Sequence, residues 1–336
     1  MARRTRRATI YDVAEAAGVS KSLVSLVLRD SPHVSEARRT AVLEAIERLD
    51  YRPSQAAAAL AGGSSRTVGV VIDDYTNLWF VELLRGLQDG LTSAGLRIAV
   101  SDRTLNSHIE SDPLDGFLST RVEALVLATE PTASMRIPPN MPVVVAGNRE
   151  TEIPGADLAA SDDRLGGRLA AEHLIGLGHR HIAHVAGGGG ASAQRLDGYL
   201  GAMRDAGLAP VVVTPSRATT EETGYAGTMT LLEAHPGTTA VFAGNDSMAM
   251  GALAAARDRG LEVPADLSVI GYDASPLAAT HLMQLTTIDS LNREIGAEVA
   301  TALLSRLTEP GREPVATRLI PQLVERSTTA APRRRL

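Results

Sequence analysis

Two sets of residues in this chain have types and spacings suited to chemistry. The first is Ser20-Lys21-Ser22, polar residues that follow Gly18 and open the run Leu23-Val24-Ser25-Leu26-Val27-Leu28. A helix-turn-helix needs a small residue where its helices cross and a glycine at the turn. Its second helix must begin with polar side chains able to meet base edges in a major groove. Ala14, Gly18 and Ser20-Lys21-Ser22 supply these parts in that order. The same pattern also fits an ordinary helical hairpin. The second set is Asn245 and Asp273, each directly after a short apolar run. That is the place where open α/β sheets bind ligands.

Other chemistries find less support. Gly187-Gly188-Gly189-Gly190 sits between a strand pattern and a helix pattern, as a phosphate loop would. No GKS or GKT follows it, so a turn lining a cleft is the better reading. His179, His181 and His184 lack a carboxylate at ligand spacing, and a strand would put 181 and 184 on opposite faces. Neither GxSxG nor HExxH occurs. The 336 residues contain no cysteine, which excludes disulfides and thiolate metal sites. No catalytic residue, cofactor or metal is therefore expected, and the chain reads as a non-enzyme.

The elements that must position both sets follow from local patterns. Thr9 caps a helix over 10–17, Ser20 caps a second, and Ser35 caps a third over 36–49. That third helix carries Ala41, Val42, Ala45, Ile46 and Leu49 on one face. Tyr51-Arg52-Pro53 breaks it. An alanine-rich stretch over 54–61 and the linker Gly62-Gly63-Ser64-Ser65 come next. Beyond Arg66 the rhythm changes. Short apolar runs over 67–72, 96–100, 124–128, 142–146, 181–186, 211–213, 240–243 and 268–271 alternate with helical stretches over 78–94, 165–177 and 192–206. Continuous apolar strands between helices indicate parallel sheets covered on both faces. About 270 residues of this exceed one doubly wound sheet, so two α/β subdomains are expected.

Charge is distributed unevenly. Residues 1–62 hold ten Lys/Arg against seven Asp/Glu, a balance of +3, whereas the remainder holds 23 against 32, a balance of −9. Arg3, Arg4, Arg6 and Arg7 make a basic arm, which fits either polyanion contact or a solvated tail. No apolar h-region follows that arm and no run approaches 18 apolar residues, so a cytoplasmic, nucleoid-associated location with no membrane partner is expected.

A longer set of motifs closely resembles the lactose/galactose repressor family of transcription regulators. Its first part is Thr9-Ile10-Tyr11-Asp12-Val13-Ala14-Glu15-Ala16-Ala17-Gly18-Val19-Ser20, with Val24-Ser25, His33-Val34-Ser35 and Leu49-Asp50-Tyr51-Arg52-Pro53. Later parts are Ala171-Glu172-His173-Leu174, Leu177-Gly178-His179-Arg180, Gly244-Asn245-Asp246-Ser247-Met248-Ala249, Val269-Ile270-Gly271-Tyr272-Asp273, Leu285-Thr286-Thr287-Ile288 and Leu323-Val324-Glu325-Arg326-Ser327-Thr328. The likeness spans residues 9 to 329. It implies a three-helix headpiece over 1–53, then a hinge helix and linker over 54–65. A periplasmic-binding-protein-like core of two doubly wound α/β subdomains would span 66–329. The first subdomain is 66–161 with 290–318 and the second 162–289 with 319–329, with crossovers near Ser161, Ser290 and Leu319. Residues 330–336 would form a disordered tail.

The resemblance also implies partners and roles. A homodimer would bind a near-palindromic DNA operator. Lys21, Ser22 and Leu26 would face base edges, while Thr9, Tyr11, Ser20, Ser25, His33 and Ser35 would mostly contact phosphates, which position without reading sequence. Ala57 and Leu60 of the hinge helix would enter the minor groove, with paired Leu60 side chains kinking the operator. Many family members carry arginine at the position of Leu26. Leucine cannot form the bidentate guanine pair, so a different half-site is expected. No leucine heptad occupies 329–336, which favours a dimer over a tetramer.

A small-molecule effector, by resemblance a sugar, would lie between the subdomains and shift operator affinity. Matched positions nominate Asp73, Trp79, Phe80, Asn148, Arg195, Asn245 and Asp273. Within the Asn245-Asp246 pair, Asn245 is read as the ligand residue and Asp246 as the helix cap. Leu78 stands where the family usually has proline. Alternative readings are an activator, a purine-type regulator that needs a co-repressor, or a solute-binding protein.

Overall fold

The computed structural model describes residues 8–28, 31–52, 65–105, 112–132 and 135–333. The arginine arm, the hinge helix with Ala57 and Leu60, and the segment 106–111 lie outside the described residues. The chain divides into two compact units, Met1–Ser65 and Arg66–Leu336.

The first unit holds α1 (Ile10–Ala17), α2 (Lys21–Leu28) and α3 (Glu36–Arg48). Local chemistry sets their ends. Thr9 and Asp12 form a reciprocal capping box in which the Thr9 N–H donates to Asp12 Oδ2 at 2.6 Å. Gly18 closes α1 at φ +64, a left-handed conformation that costs glycine nothing. Ser20 Oγ accepts from Leu23 N at 3.2 Å, which starts α2. Ser35 differs from expectation. It occupies the N-cap position of α3, but its side chain makes no capping bond; its carbonyl accepts from Arg38 and Arg39 at 3.0 Å instead. Val13, Ala14, Val24, Val27, Val42 and Ala45 make a small core of short side chains.

The second unit contains two six-stranded sheets. The first uses β1 (Thr67–Ile72), β2 (Arg97–Asp102), β3 (Ala124–Ala128), β4 (Val143–Ala146), β5 (Asp157–Ser161) and β11 (Ala316–Leu319), in the order β11-β5-β4-β3-β1-β2, all parallel. The second uses β6 (Ile182–Val185), β7 (Val211–Val213), β8 (Ala240–Ala243), β9 (Ser268–Tyr272), β10 (Thr286–Asp289) and β12 (Gln322–Val324), in the order β12-β10-β9-β8-β6-β7. Only the edge strand β12 runs antiparallel, against β10. Among the described residues seven helices cover the sheets: α4 (Trp79–Thr92), α5 (Pro113–Ser119), α6 (Asp163–Gly176), α7 (Gly190–Asp205), α8 (Glu221–Ala234), α9 (Asp246–Asp258) and α10 (Asn292–Thr308).

Strand alternation explains the two-sided burial. Val68, Val70 and Ile72 of β1 enter one core cluster and Val71 the opposite one; Val126 and Leu125 of β3 divide in the same way. The chain passes between subdomains three times: after Ser161, after Asp289 and after Leu319. At one end of β5, the fully buried Asp157 binds Arg306 Nε at 2.7 Å, Arg312 Nη1 at 3.2 Å and Val315 N at 2.7 Å. At its other end stands Ser161, at the first crossover.

The tail expected to be disordered from 330 is partly built into the second subdomain. Ala330 O accepts from His179 Nε2 at 2.9 Å, and Arg333 pairs with Glu262 and Asp266, each at 2.9 Å. A carbonyl only accepts, so His179 carries its proton on Nε2, and Nδ1 accepts from Thr239 at 2.9 Å. A hydrogen bond from His179 and ion pairs to Glu262 and Asp266, rather than apolar burial, hold these residues.

Candidate functional site

Among the described residues, the DNA-facing candidates are exposed or half-buried on the headpiece. Val24 and Val27 turn into the core, which leaves Lys21, Ser22 and Leu26 exposed and Ser25 half-buried on the remaining arc of α2. Leu26 is 40% exposed, an apolar side chain with no core to serve. Tyr11 projects from α1 beside this arc, with Lys21 Nζ 3.4 Å from its hydroxyl and 5.1 Å from its ring centre. Ser20, His33 and Ser35 are exposed and Thr9 is half-buried.

The second candidate site is a cleft of about 820 Å³ between the two core subdomains. Asp73, Trp79, Phe80, Arg195, Asn245 and Asp273 all line it. On the first subdomain's side, Asp73 accepts from the Thr129 hydroxyl and lies 3.5 Å from Arg103 Nη1. Asn77 Oδ1 accepts from Trp79 N at 3.0 Å, which starts α4 behind Leu78 without the usual proline. Trp79 is half-buried and meets Phe80 edge-on at 5.1 Å. Phe80 is only 4% exposed and belongs mainly to the core under that wall.

Arg195 organises the opposite wall. Nε donates to Asp163 at 2.8 Å, Nη1 to Gly244 O at 2.8 Å and Nη2 to Asp273 at 3.3 Å. Its guanidinium lies 3.6 Å from the Tyr272 ring centre. Burial opposes its charge, but the Asp163 and Asp273 carboxylates more than offset that and hold Arg195 above its ordinary value. Burial pushes the Asp273 carboxyl up to about 8 against the pull of Arg195. Asp273 also has φ +105, a strained backbone at the cleft surface and a mark of functional sites.

Two assignments change. Asn148 does not line the cleft. It is 2% exposed, and its amide nitrogen donates to Ser161 O at 2.9 Å and Asp163 Oδ2 at 2.7 Å, while its oxygen accepts from Arg318 at 2.6 Å. Asn148 therefore ties two crossovers together, and its neighbour Arg149 lines the cleft, 6.0 Å from the Trp79 ring centre. The cap read for Asp246 also belongs to Asn245, which keeps its place on the cleft lining. Asn245 caps α9 by accepting from Met248 N at 2.8 Å and donates to Thr219 O at 3.1 Å. It reaches the cleft with its polar atoms already engaged. Asp246 is buried, accepts from Thr287 at 2.6 Å and Ser275 N at 2.7 Å, and is raised by burial to about 6.

Several lining residues had no sequence motif to reveal them. Glu130 accepts from Gly190 N and Glu150 N, both at 2.9 Å, and so bridges the subdomains across the cleft. Arg217 reaches Glu150 at 2.7 Å from the other side. A Cβ at Gly190 would sit 2.2 Å from the Arg149 carbonyl carbon, so only glycine allows this approach. The position of Glu130 just past the apolar β3 was the one available signal. His179 and His184 serve structure: His184 stacks on Phe242, donates Nδ1–H to Phe242 O at 2.9 Å and is pushed down to about 4 by burial. Among the described residues no group of His, Asp and Glu could hold a metal, and no helix is long and apolar enough to cross a membrane.

Residues 9–54 match the family described as bacterial regulatory proteins, lacI family, and residues 171–329 match a periplasmic binding protein-like domain. Catabolite control protein A of Priestia megaterium is 36% identical over 316 residues, covering 89% of this chain and 92% of that protein. The chain belongs to the lacI family. A lac repressor dimer solved with operator and the anti-inducer ONPF is similar, with TM-score 0.78, 27% identity, and coverage of 97% of this chain and 100% of that one. A lacI-family regulator from Enterococcus faecium solved with bound ribose has TM-score 0.71 and 28% identity, covering 79% of this chain and 99% of that one. As a lacI-family member this chain is a DNA-binding transcriptional regulator of the repressor type, with a helix-turn-helix headpiece and a periplasmic-binding-protein-like core. Its relatives are regulators, not enzymes.

Proposed function

We propose that this lacI-family chain is a dimeric operator-binding repressor whose DNA affinity is set by a neutral sugar held between its core subdomains. The observation that carries the effector half is the Asp163–Arg195–Asp273 set facing Trp79 across one cleft. Paired charged groups serve hydroxyls, and an aromatic plate serves the apolar face of a sugar ring. The cleft lining holds seven carboxylates against four arginines, an excess that opposes phosphorylated or acidic ligands. The ribose held by the Enterococcus faecium relative is consistent with this class.

On the DNA side, α2 enters the major groove with Lys21, Ser22 and Leu26 at base edges. Thr9, Tyr11, Ser20, Ser25, His33 and Ser35 take phosphates, and Ala57 and Leu60 take the minor groove. The headpiece spans 1–53, the hinge and linker 54–65, and the effector core 66–329. Its place of work is the nucleoid.

Trp79 is the sole tryptophan, so its fluorescence reports on the cleft without labelling. Titration with D-ribose, other neutral monosaccharides, hypoxanthine and guanine tests the effector class. A saturable response to a sugar is expected. A response confined to the purines would replace the sugar reading with the co-repressor one.

A further inference from the structure

We infer that the outer face of the α6–α7 crossing carries a phosphate-binding site built by Arg164, Arg168 and Arg204. It is separate from the effector cleft and does not depend on the sugar reading. A groove of about 240 Å³ runs between the two helices, lined by these three arginines with Asp162, Asp197 and Gly201. Neighbours in sequence part here: Asp163 and Arg195 line the effector cleft, whereas Arg164 and Asp197 line the groove.

The crossing is close because glycine permits it. A Cβ at Gly198 would sit 2.0 Å from the Arg164 carbonyl oxygen, and one at Gly167 would sit 2.1 Å from the Arg195 carbonyl oxygen. This contact sets the arginines of α6 against that of α7. Gly201 is different. A Cβ there would meet only Arg168 Nη1 at 3.9 Å and Arg204 Nη2 at 4.0 Å, which are ordinary contact distances. Packing therefore does not require glycine at 201, where it is less stable in a helix than alanine. What it leaves is open floor beneath two guanidinium groups. Those two nitrogens lie within about 8 Å of one another, a gap that two oxygens of one phosphate, each bonded at about 2.8 Å, can bridge.

The chemistry selects the occupant. Arg168 is held by Glu172 through Nε at 2.7 Å and by Asp205 through Nη2 at 2.8 Å, so its plane is fixed while Nη1 lies over Gly201. Arg164 and Arg204 are exposed and have no carboxylate partner among the described residues. Guanidinium forks are donors only and match the oxygens of a phosphate. Asp162 is spent on capping α6, where it accepts from Leu165 N at 2.9 Å. That leaves Asp197 as the lining carboxylate without a partner among the described residues. A carboxylate only accepts, so an anion that also donates fits beside it. Singly protonated phosphate, free or as a monoester, meets this requirement and sulfate does not.

Isothermal titration calorimetry on the full chain at about pH 6.5, with sodium phosphate, phenyl phosphate and sodium sulfate at matched ionic strength, tests the site. Saturable binding of inorganic phosphate assigns the site to free phosphate, and binding of phenyl phosphate alone assigns it to a phosphate ester; either upholds it. Arg164→Gln and Arg204→Gln are each expected to weaken that binding about tenfold, the effect of one lost charge-assisted bond. Arg217→Gln, which removes a cation at the effector cleft instead, should leave it unchanged. Gly201→Leu, which fills the floor of the groove, should abolish it without lowering the melting temperature. No saturable binding of either phosphate would overturn the proposal. So would unchanged affinity in both Arg164→Gln and Arg204→Gln, which would place the anion elsewhere, such as on the DNA-binding headpiece. Sulfate bound as tightly as phosphate would overturn the part given to Asp197 and the phosphate assignment with it.

Discussion

Replacing Arg195 by leucine tests whether the charged wall of the cleft is the energetic unit described above. The side chain of Arg195 is 10% exposed, and those of Asp163 and Asp273 are 4% and 5% exposed. Leucine removes three hydrogen bonds and the contact with Tyr272, and leaves both carboxylates without their cation. Breaking a buried pair from one side costs about 3–5 kcal/mol. Asp273, already raised to about 8, holds a proton through much of the neutral range, so the stranded charge is chiefly Asp163. Asp163 keeps its bond from Asn148 at 2.7 Å, which points to the lower half of that range. For a unit of this size each kcal/mol moves the melting temperature by about 2 °C, so a loss of roughly 6–8 °C at pH 7 is expected. A carboxyl raised in the folded state takes up a proton there, so stability is kept at low pH and lost as pH rises through the raised value. Without its cation Asp273 is raised further still, so the two folded chains differ in proton uptake only from about pH 8 upward, and the deficit of Arg195→Leu should grow from pH 7 to pH 9. Thermal unfolding followed by circular dichroism reads this directly. A deficit under about 2 °C at pH 8, or one independent of pH, would refute the reasoning.

Three other outcomes follow from the same structure. Burial alone would raise Asp157, but hydrogen bonds from Arg306 and Val315 and the charges of Arg306 and Arg312 outweigh it and hold Asp157 below its ordinary value. Its stabilisation is therefore present above about pH 4 and lost as pH falls through the depressed value, and Asp157→Asn should remove that acid-dependent part of the melting curve. Glu130→Ala should cut protection of the Gly190 amide by about 10- to 100-fold in hydrogen exchange, the value of a charge-assisted bond, whereas Arg217→Ala should leave that amide protected. Leu26→Arg adds no core strain at a 40% exposed site, and should shift the preferred half-site towards guanine at one position by about 1–3 kcal/mol of discrimination in binding selections from random DNA.

How far the sequence could be read depends on how local the cause was. The ends of α1 were legible because Thr9, Asp12 and Gly18 act within a few residues of themselves. Strands β1, β3, β4 and β8 were legible because they are continuous apolar runs buried on both faces. Strand β5, reading Asp157-Leu158-Ala159-Ala160-Ser161, gave no such signal. It is held by strands on either side and by arginines about 150 residues away, at separations of 149 and 155. The cleft residues Asp73, Trp79 and Arg195 came from the family resemblance, Asp273 also from its place after an apolar run, and the fold brings them to one cavity. Asn148 against Arg149 as the cleft residue, and Asn245 against Asp246 as the helix cap, could not be separated in sequence. Which of two neighbours faces a cleft is set by the strand end and the helix start, and one residue reverses the direction. Residues 330–333 looked like a tail because their partners, His179 and Asp266, are remote.

The most direct test of the whole account is fluorescence anisotropy of the full chain on labelled DNA from upstream of its own gene, in a salt series, with and without a sugar that calorimetry shows to bind. The account predicts binding at least 1,000-fold tighter than to random DNA, and a sugar-induced change in operator affinity of about 5- to 150-fold. Equal affinity for operator and random DNA would contradict it. So would saturation with the bound sugar that leaves operator affinity unchanged.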